Sequence, residues 1–174
     1  MLVELTREFI SCFAEKKREK NILDFTDMEH FALEILMEKQ EDGTFQMSQA
    51  ARELSLKYEE VMVDEYQDSN LVQEMITNCV SGWAQQQKNI FMVGDVKQSI
   101  YSFRLARPEL FMEKYEKYSL TDSKEQRIDL HKNFRSRTQV LECANFIFRQ
   151  IMGKDLGKIE YDHAAALYPG AAFK

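Results

Sequence analysis

The sequence predicts an α/β fold in which parallel strands are flanked by helices. Three observations point there. "EVMVD" (60–64) and "NIFMVGD" (89–95) are short apolar runs, each closing on an aspartate. Between them, "SNLVQEMITNCVSGW" carries apolar residues at helical spacing, and strand, helix and strand in that order make a right-handed βαβ unit. A further helix then leads into a third candidate strand, "QRIDLHKNF" (126–134).

The elements follow in order. Residues 2–20 read as a helix, with Leu2, Leu5, Phe9 and Phe13 near helical spacing and a basic end, "KKREK", suited to the dipole. "TDMEHFALEILMEK" predicts a second helix opening on Thr26 and Glu29 in capping-box spacing, with Phe31, Ile35 and Leu36 on one face. "EDG" at 41–43 breaks the chain, and "SQAARELSLKY" predicts a short helix capped by Ser48. Ser69 is the expected cap of the helix inside the βαβ unit. Pro108 sits in the first turn of the helix in "RPELFMEKYEKY". "SRTQVLECANFIFRQIM" (136–152) is a long amphipathic helix, and the tail, with Gly153, Gly157 and "PG" at 169–170, reads as irregular.

Composition narrows the function classes. At 174 residues and 44% hydrophobic content the chain is ordinary for a globular protein. No apolar run approaches the ~20 residues of a membrane span, and the first twenty residues do not form a signal peptide. Cys12, Cys79 and Cys143 are odd in number and far apart, as expected of reduced, partly buried thiols in a cytoplasmic protein. His30, His131 and His163 are scattered and build no metal cluster. The net charge of −6 is unevenly spread. Residues 1–87 hold 8 Lys/Arg against 18 Asp/Glu, whereas residues 88–150 hold 12 against 8, so a polyanion would meet the second half. Solvated helix faces give the same arithmetic.

Chemistry gathers at the predicted strand ends, where open parallel sheets bind ligands. Asp64, Glu65 and Asp95 fall there. An aspartate so placed can hold Mg2+ through water, and a second carboxylate can deprotonate an attacking water. A polar turn closing a strand has the same composition, so the acids alone leave both readings open. After the second strand, "GDVKQSIYSFRLARPELF" places Gln98 within reach of a phosphate and interleaves Tyr101 and Phe103 with Arg104 and Arg107. Rings and guanidinium groups so mixed suit single-stranded nucleic acid, or the rings belong to the core of a short helix. "HKNFRS" puts Arg135 just past the third candidate strand, where it is either an arginine finger or a surface residue.

"VDEYQDSN", "VGDVKQSIYSFR" and "LHKNFRS" resemble, in order and wording, motifs II, III and IV of superfamily 1 DNA helicases of the UvrD/Rep kind. "LDFTDMEHFALEIL", Phe103 where such helicases usually carry Trp, and "GKIEYDHAAALYPGA" look like the AddA subunits of bacterial AddAB helicase–nucleases. The resemblance implies a partial RecA-like P-loop NTPase domain whose P-loop strand is absent, since no GxxxxGK[ST] occurs. It implies three parts: residues 1–24, the end of an inserted helical subdomain; 25–122, the C-terminal half of the first RecA-like domain; and 123–174, the start of the second.

The resemblance also implies roles. Asp64 would hold the Mg2+ of ATP through water with Glu65 beside it, and Glu65 would activate the hydrolytic water. Gln98 would sense the γ-phosphate. Phe134 would lie against adenine and Arg135 would be the arginine finger. Tyr101, Phe103, Arg104 and Arg107 would touch DNA, and Gln67 and Asp68 complete motif II and would orient their neighbours. The implied cofactors are ATP and Mg2+. The implied partners are single- and double-stranded DNA and an AddB-like subunit, in the cytoplasm and away from any membrane. Two other readings stand beside it: a stand-alone, catalytically inactive single-strand-binding module, and a metal-dependent phosphohydrolase using Asp64, Glu65 and Asp95.

Overall fold

A computed structural model describes residues 1–101, 105–157 and 159–171. Helix α1 spans Leu2–Lys20 and ends at Asn21, whose left-handed backbone returns its N–H to the carbonyls of Lys17 and Arg18. Lys17 ties α1 to the next helix by ion pairs to Asp24 and Asp27 at 3.0 and 2.6 Å. Helix α2 runs over Phe25–Leu36, and its cap corrects the expectation from sequence. The capping box is made by Asp24 and Asp27, not by Thr26 and Glu29: each carboxylate accepts the other residue's N–H, at 2.9 and 3.0 Å. The helix therefore starts two residues earlier, because a carboxylate beside Lys17 caps better than a hydroxyl without such a partner.

The predicted helix over 26–39 also stops early. Met37–Lys39 forms strand β1, which pairs antiparallel with β2 (Phe45–Met47) around the expected break at Gly43. Ser48 caps α3 (Gln49–Lys57) by accepting from the Ala51 N–H at 3.1 Å, as predicted. Strands β3 (Val61–Val63) and β4 (Ile90–Met92) are parallel, with Val61 opposite Ile90 and Val63 opposite Met92. Helix α4 (Leu71–Val80) joins them. Its cap is Asn70, in a box with Gln73, rather than Ser69. The carbonyl of Ser69 instead accepts from the N–H of Arg107.

Helix α5 (Pro108–Lys117) starts on its proline, as expected. The third candidate strand is not borne out as one. Gln126 makes a single bridge to Ser119, and only Lys132–Asn133 (β5) forms a strand, whose partner is Tyr168–Pro169 (β6) rather than β3 or β4. Within the tail read as irregular, Tyr168–Pro169 is thus paired, and neighbouring residues bond to α6 (Thr138–Ile151). Asn145 organises them: its amide donates to the Leu167 carbonyl, and its Oδ1 accepts from the Tyr161 hydroxyl and the Leu167 N–H.

The core is split. Leu36, Ala51 and Cys79 are buried between α2, α3 and α4, with Met37, Met47, Leu54, Ile76 and Val80 packed on them. Tyr66, Phe111 and Tyr115 stack where the chain leaving β3 meets α5. The outer face of the β3–β4 pair is bare, with Met62 70% and Phe91 56% exposed. Cys79 is buried, but Cys12 and Cys143 are exposed, which corrects the expectation of three partly buried thiols.

Candidate functional site

The ends of β3 and β4 carry the predicted acids side by side, because the two strands are parallel and in register. The ladder continues past both strands: Val93 donates to Val63 at 2.8 Å and Tyr66 to Val93 at 2.9 Å. Asp64 and Glu65 occupy the turn this creates, and both are exposed. Asp64 Oδ1 accepts from the Glu65 N–H at 2.9 Å. Glu65 has a left-handed backbone (φ 50°, ψ 39°), an uncommon conformation for a residue with a long side chain. After it, Tyr66–Asp68 close a 3-10 turn that leads into α4.

Gln67 fastens the two strand ends together. Its side chain is buried (1% exposed). Oε1 accepts from the Asp95 N–H at 3.0 Å, while Nε2 donates to Glu65 Oε2 at 2.7 Å. Gly94 is needed for this approach, since a Cβ there would lie 2.7 Å from Gln67 Oε1.

On the β4 side, Asp95 caps a 3-10 turn over Val96–Gln98. Its carboxylate takes Lys97 Nζ at 2.7 Å and Gln98 Nε2 at 3.1 Å. Burial works to raise the Asp95 carboxyl, but the bonds from Lys97 and Gln98 outweigh it and hold the group below the usual aspartate range. Under the turn, the Tyr66 hydroxyl donates to Glu74, and Lys114 bonds the other Glu74 oxygen at 2.8 Å. Burial, and then Glu74, push the Tyr66 hydroxyl well above the ordinary phenol range.

The structure brings Asp64, Glu65, Gln67, Asp95 and Gln98 together. Among the described residues no hydrogen bond or ion pair joins Arg135 to them. Arg135 sits after β5 in a tight turn held by Asn133 Oδ1, which accepts from the N–H groups of Arg135 and Ser136. Phe134 is exposed, with one side of its ring against Gly170, where a Cβ would come within 2.7 Å. Tyr101 is exposed, and Arg107 is exposed with Glu109 3.5 Å away. Phe103 and Arg104 lie outside the described residues. The basic excess of 88–150 is partly spent internally: Lys88 and Lys117 hold Glu125, Lys114 holds Glu74, and Arg127 holds Asp129.

This arrangement has relatives. Residues 2–119 match the UvrD/REP helicase N-terminal domain. The chain belongs to the UvrD/REP helicase family. It is 53% identical over 173 residues to the A subunit of the ATP-dependent helicase/nuclease of Lachnoclostridium phytofermentans, covering 99% of this chain and 12% of that protein. The proteins of the same name in Clostridium botulinum and Bacillus cytotoxicus are 52% and 51% identical over 99% of the chain, which spans 14% of each. As a UvrD/REP helicase domain it keeps its acids at the ends of parallel strands. Gln67 was expected only to orient its neighbours; the bonds by which it joins Asp95 to Glu65, and the Tyr66–Glu74–Lys114 network under them, were not foreseen from sequence. Gly94, set between an apolar run and Asp95, was the one visible sign of a close approach. No described helix is long and apolar enough to cross a membrane.

Proposed function

We propose that this chain is a segment of an ATP-dependent DNA helicase/nuclease of the AddA kind, carrying motifs II to IV. In this reading residues 1–24 end an inserted helical subdomain, 25–122 complete the first RecA-like domain, and 123–174 begin the second. The parent polypeptide supplies the phosphate-binding loop. It works in the cytoplasm with an AddB-like subunit in double-strand break repair and recombination. The observation that carries the reading is identity of 50–53% over 97–99% of the chain to proteins named as the A subunit of an ATP-dependent helicase/nuclease. The joined strand ends support it.

The acids suit Mg2+ arriving with ATP. Among the described residues no group of three or more His, Cys, Asp or Glu gathers to cage a metal. Asp64, with Glu65 beside it, offers hard oxygens to an ion that keeps waters and shares phosphate oxygens. Bound there, Mg2+ supplies positive charge to the terminal phosphates. Asp64 would hold it, with Glu65 beside it. Glu65 takes the proton of the attacking water: one oxygen is bonded by Gln67, which leaves the other for that water. Gln98 reports the γ-phosphate, its amide nitrogen anchored on Asp95. Phe134 packs on adenine, and Arg135 closes from the second domain as the arginine finger. Tyr101, Phe103, Arg104 and Arg107 meet single-stranded DNA.

Glu65→Gln in the parent protein tests the assignment. ATP binding is retained and turnover falls by roughly 10²–10⁴, the contribution of a positioned base; retained turnover refutes the assigned base. The isolated chain, lacking GxxxxGK[ST], hydrolyses no ATP.

A further inference from the structure

We propose that Gln67 is a positioning residue through which the turn at 95–98 sets the carboxylate of Glu65, so that hydrolysis depends on how that turn is seated. The inference rests on the reading of this site as an ATPase and adds a control element to it.

A continuous path supports it. Gln98 Nε2 bonds Asp95 Oδ2 (3.1 Å), the Asp95 N–H bonds Gln67 Oε1 (3.0 Å), and Gln67 Nε2 bonds Glu65 Oε2 (2.7 Å). The middle link is buried while both ends are exposed. A buried amide left unpaired is costly, and the other acceptor near Nε2, Asp68 Oδ2, lies at a longer 3.4 Å, so Gln67 keeps Glu65 as its main partner. Its chemistry is specific: one end must accept from a backbone N–H and the other must donate to a carboxylate, and among side chains of this length only glutamine does both. The position is also confined. Gly94, having no Cβ, is what admits the amide to the β4 side, and the Gln67 carbonyl accepts from Ser99 Oγ at 3.5 Å, beyond the same turn. When Gln98 engages a phosphate, Asp95 shifts with it, and Gln67 passes that shift to the oxygen it holds on Glu65. The bond matters to rate because it orients a base whose other oxygen meets water.

The experiment uses the parent protein with single-stranded DNA. Gln67→Glu keeps an acceptor for the Asp95 N–H but, ionised, donates nothing to Glu65. We expect kcat to fall about 10- to 100-fold, less than loss of the base itself, with KM for ATP changed by no more than about twofold. Protection of the Asp95 amide from hydrogen exchange should stay at the wild-type level. Gln67→Asn, too short to span both partners, should lower kcat in the same way and serves if the first variant does not fold. Unchanged kcat in a folded variant overturns the proposal. So does a matched loss of ATP affinity and of Asp95 protection, since that is a purely structural role. Absence of DNA-stimulated turnover in the unmutated parent refutes the ATPase reading itself, and shows before any variant is made.

Discussion

Removing one oxygen atom tests the packing beneath the site. Tyr66 is 1% exposed, its ring lies against Phe111, and its hydroxyl donates to Glu74, whose other oxygen holds Lys114. Tyr66→Phe keeps the ring and deletes the donor. A hydrogen bond to a charged acceptor is worth about 1.5–3 kcal/mol. The Glu74 side chain is 16% exposed and keeps Lys114, so water recovers part of the loss. We therefore place the cost near the lower bound, about 1.5 kcal/mol. With a urea slope of about 1–3 kcal/mol/M, the midpoint drops by about 0.5–1.5 M. Lys114→Met strands the same carboxylate and costs about 2 kcal/mol, below the figure for a fully buried pair because Lys114 is 22% exposed. The double variant should fall short of additivity by about 0.5–1 kcal/mol, because both changes act through Glu74. The assay is urea unfolding of the chain at low concentration, followed by Trp83, its only tryptophan, which lines a cavity with Glu74 and Lys114. Equal midpoints for Tyr66→Phe and wild type, or strict additivity, would refute the idea that Glu74 depends on both donors.

Other outcomes follow from the same geometry. The Asp95 carboxyl is depressed in the folded state, so its contribution is complete above the unfolded aspartate pKa near 3.9 and is lost as pH falls through the lower folded value. Asp95→Asn should therefore flatten the stability–pH curve in that acid window only, which acid titration of unfolding measures; an unaltered acid limb counts against the assignment. The isolated chain should self-associate through the bare Met62 and Phe91 face, giving a mass in sedimentation that rises with concentration and is reduced by Phe91→Ser. A monomer at all concentrations contradicts this.

Much of the fold was legible because the signals were local. Short apolar runs closing on an aspartate marked β3 and β4, and the apolar spacing over 136–152 marked α6. The caps were misplaced where several polar residues competed. Asp24 prevailed over Thr26 because Lys17, seven residues upstream, supports its charge. Asn70 prevailed over Ser69 because its amide reaches Gln73 while the Ser69 carbonyl is taken by Arg107. The third strand failed for a non-local reason: Gln126 bridges Ser119 while Lys132–Asn133 meets Tyr168–Pro169, a contact 36 residues away in sequence that periodicity does not report. At the site, the acids and Gln98 were readable as types at spacings. Gln67 was readable only as a residue that orients its neighbours; its hold on the β4 side was not, since the Asp95 N–H lies 28 residues further along the chain.

The backbone of Glu65 carries a consequence for variation at this position. A left-handed conformation costs a residue with a side chain roughly 1–2 kcal/mol, a cost glycine escapes and asparagine tolerates. Variants of residue 65 screened for thermal resistance alone should drift toward glycine and asparagine, while, on the proposed role of Glu65 as the base, a screen for ATP turnover in the parent protein should return glutamate. On that reading fold and chemistry want different amino acids, and Glu65 is held at a standing cost to the fold.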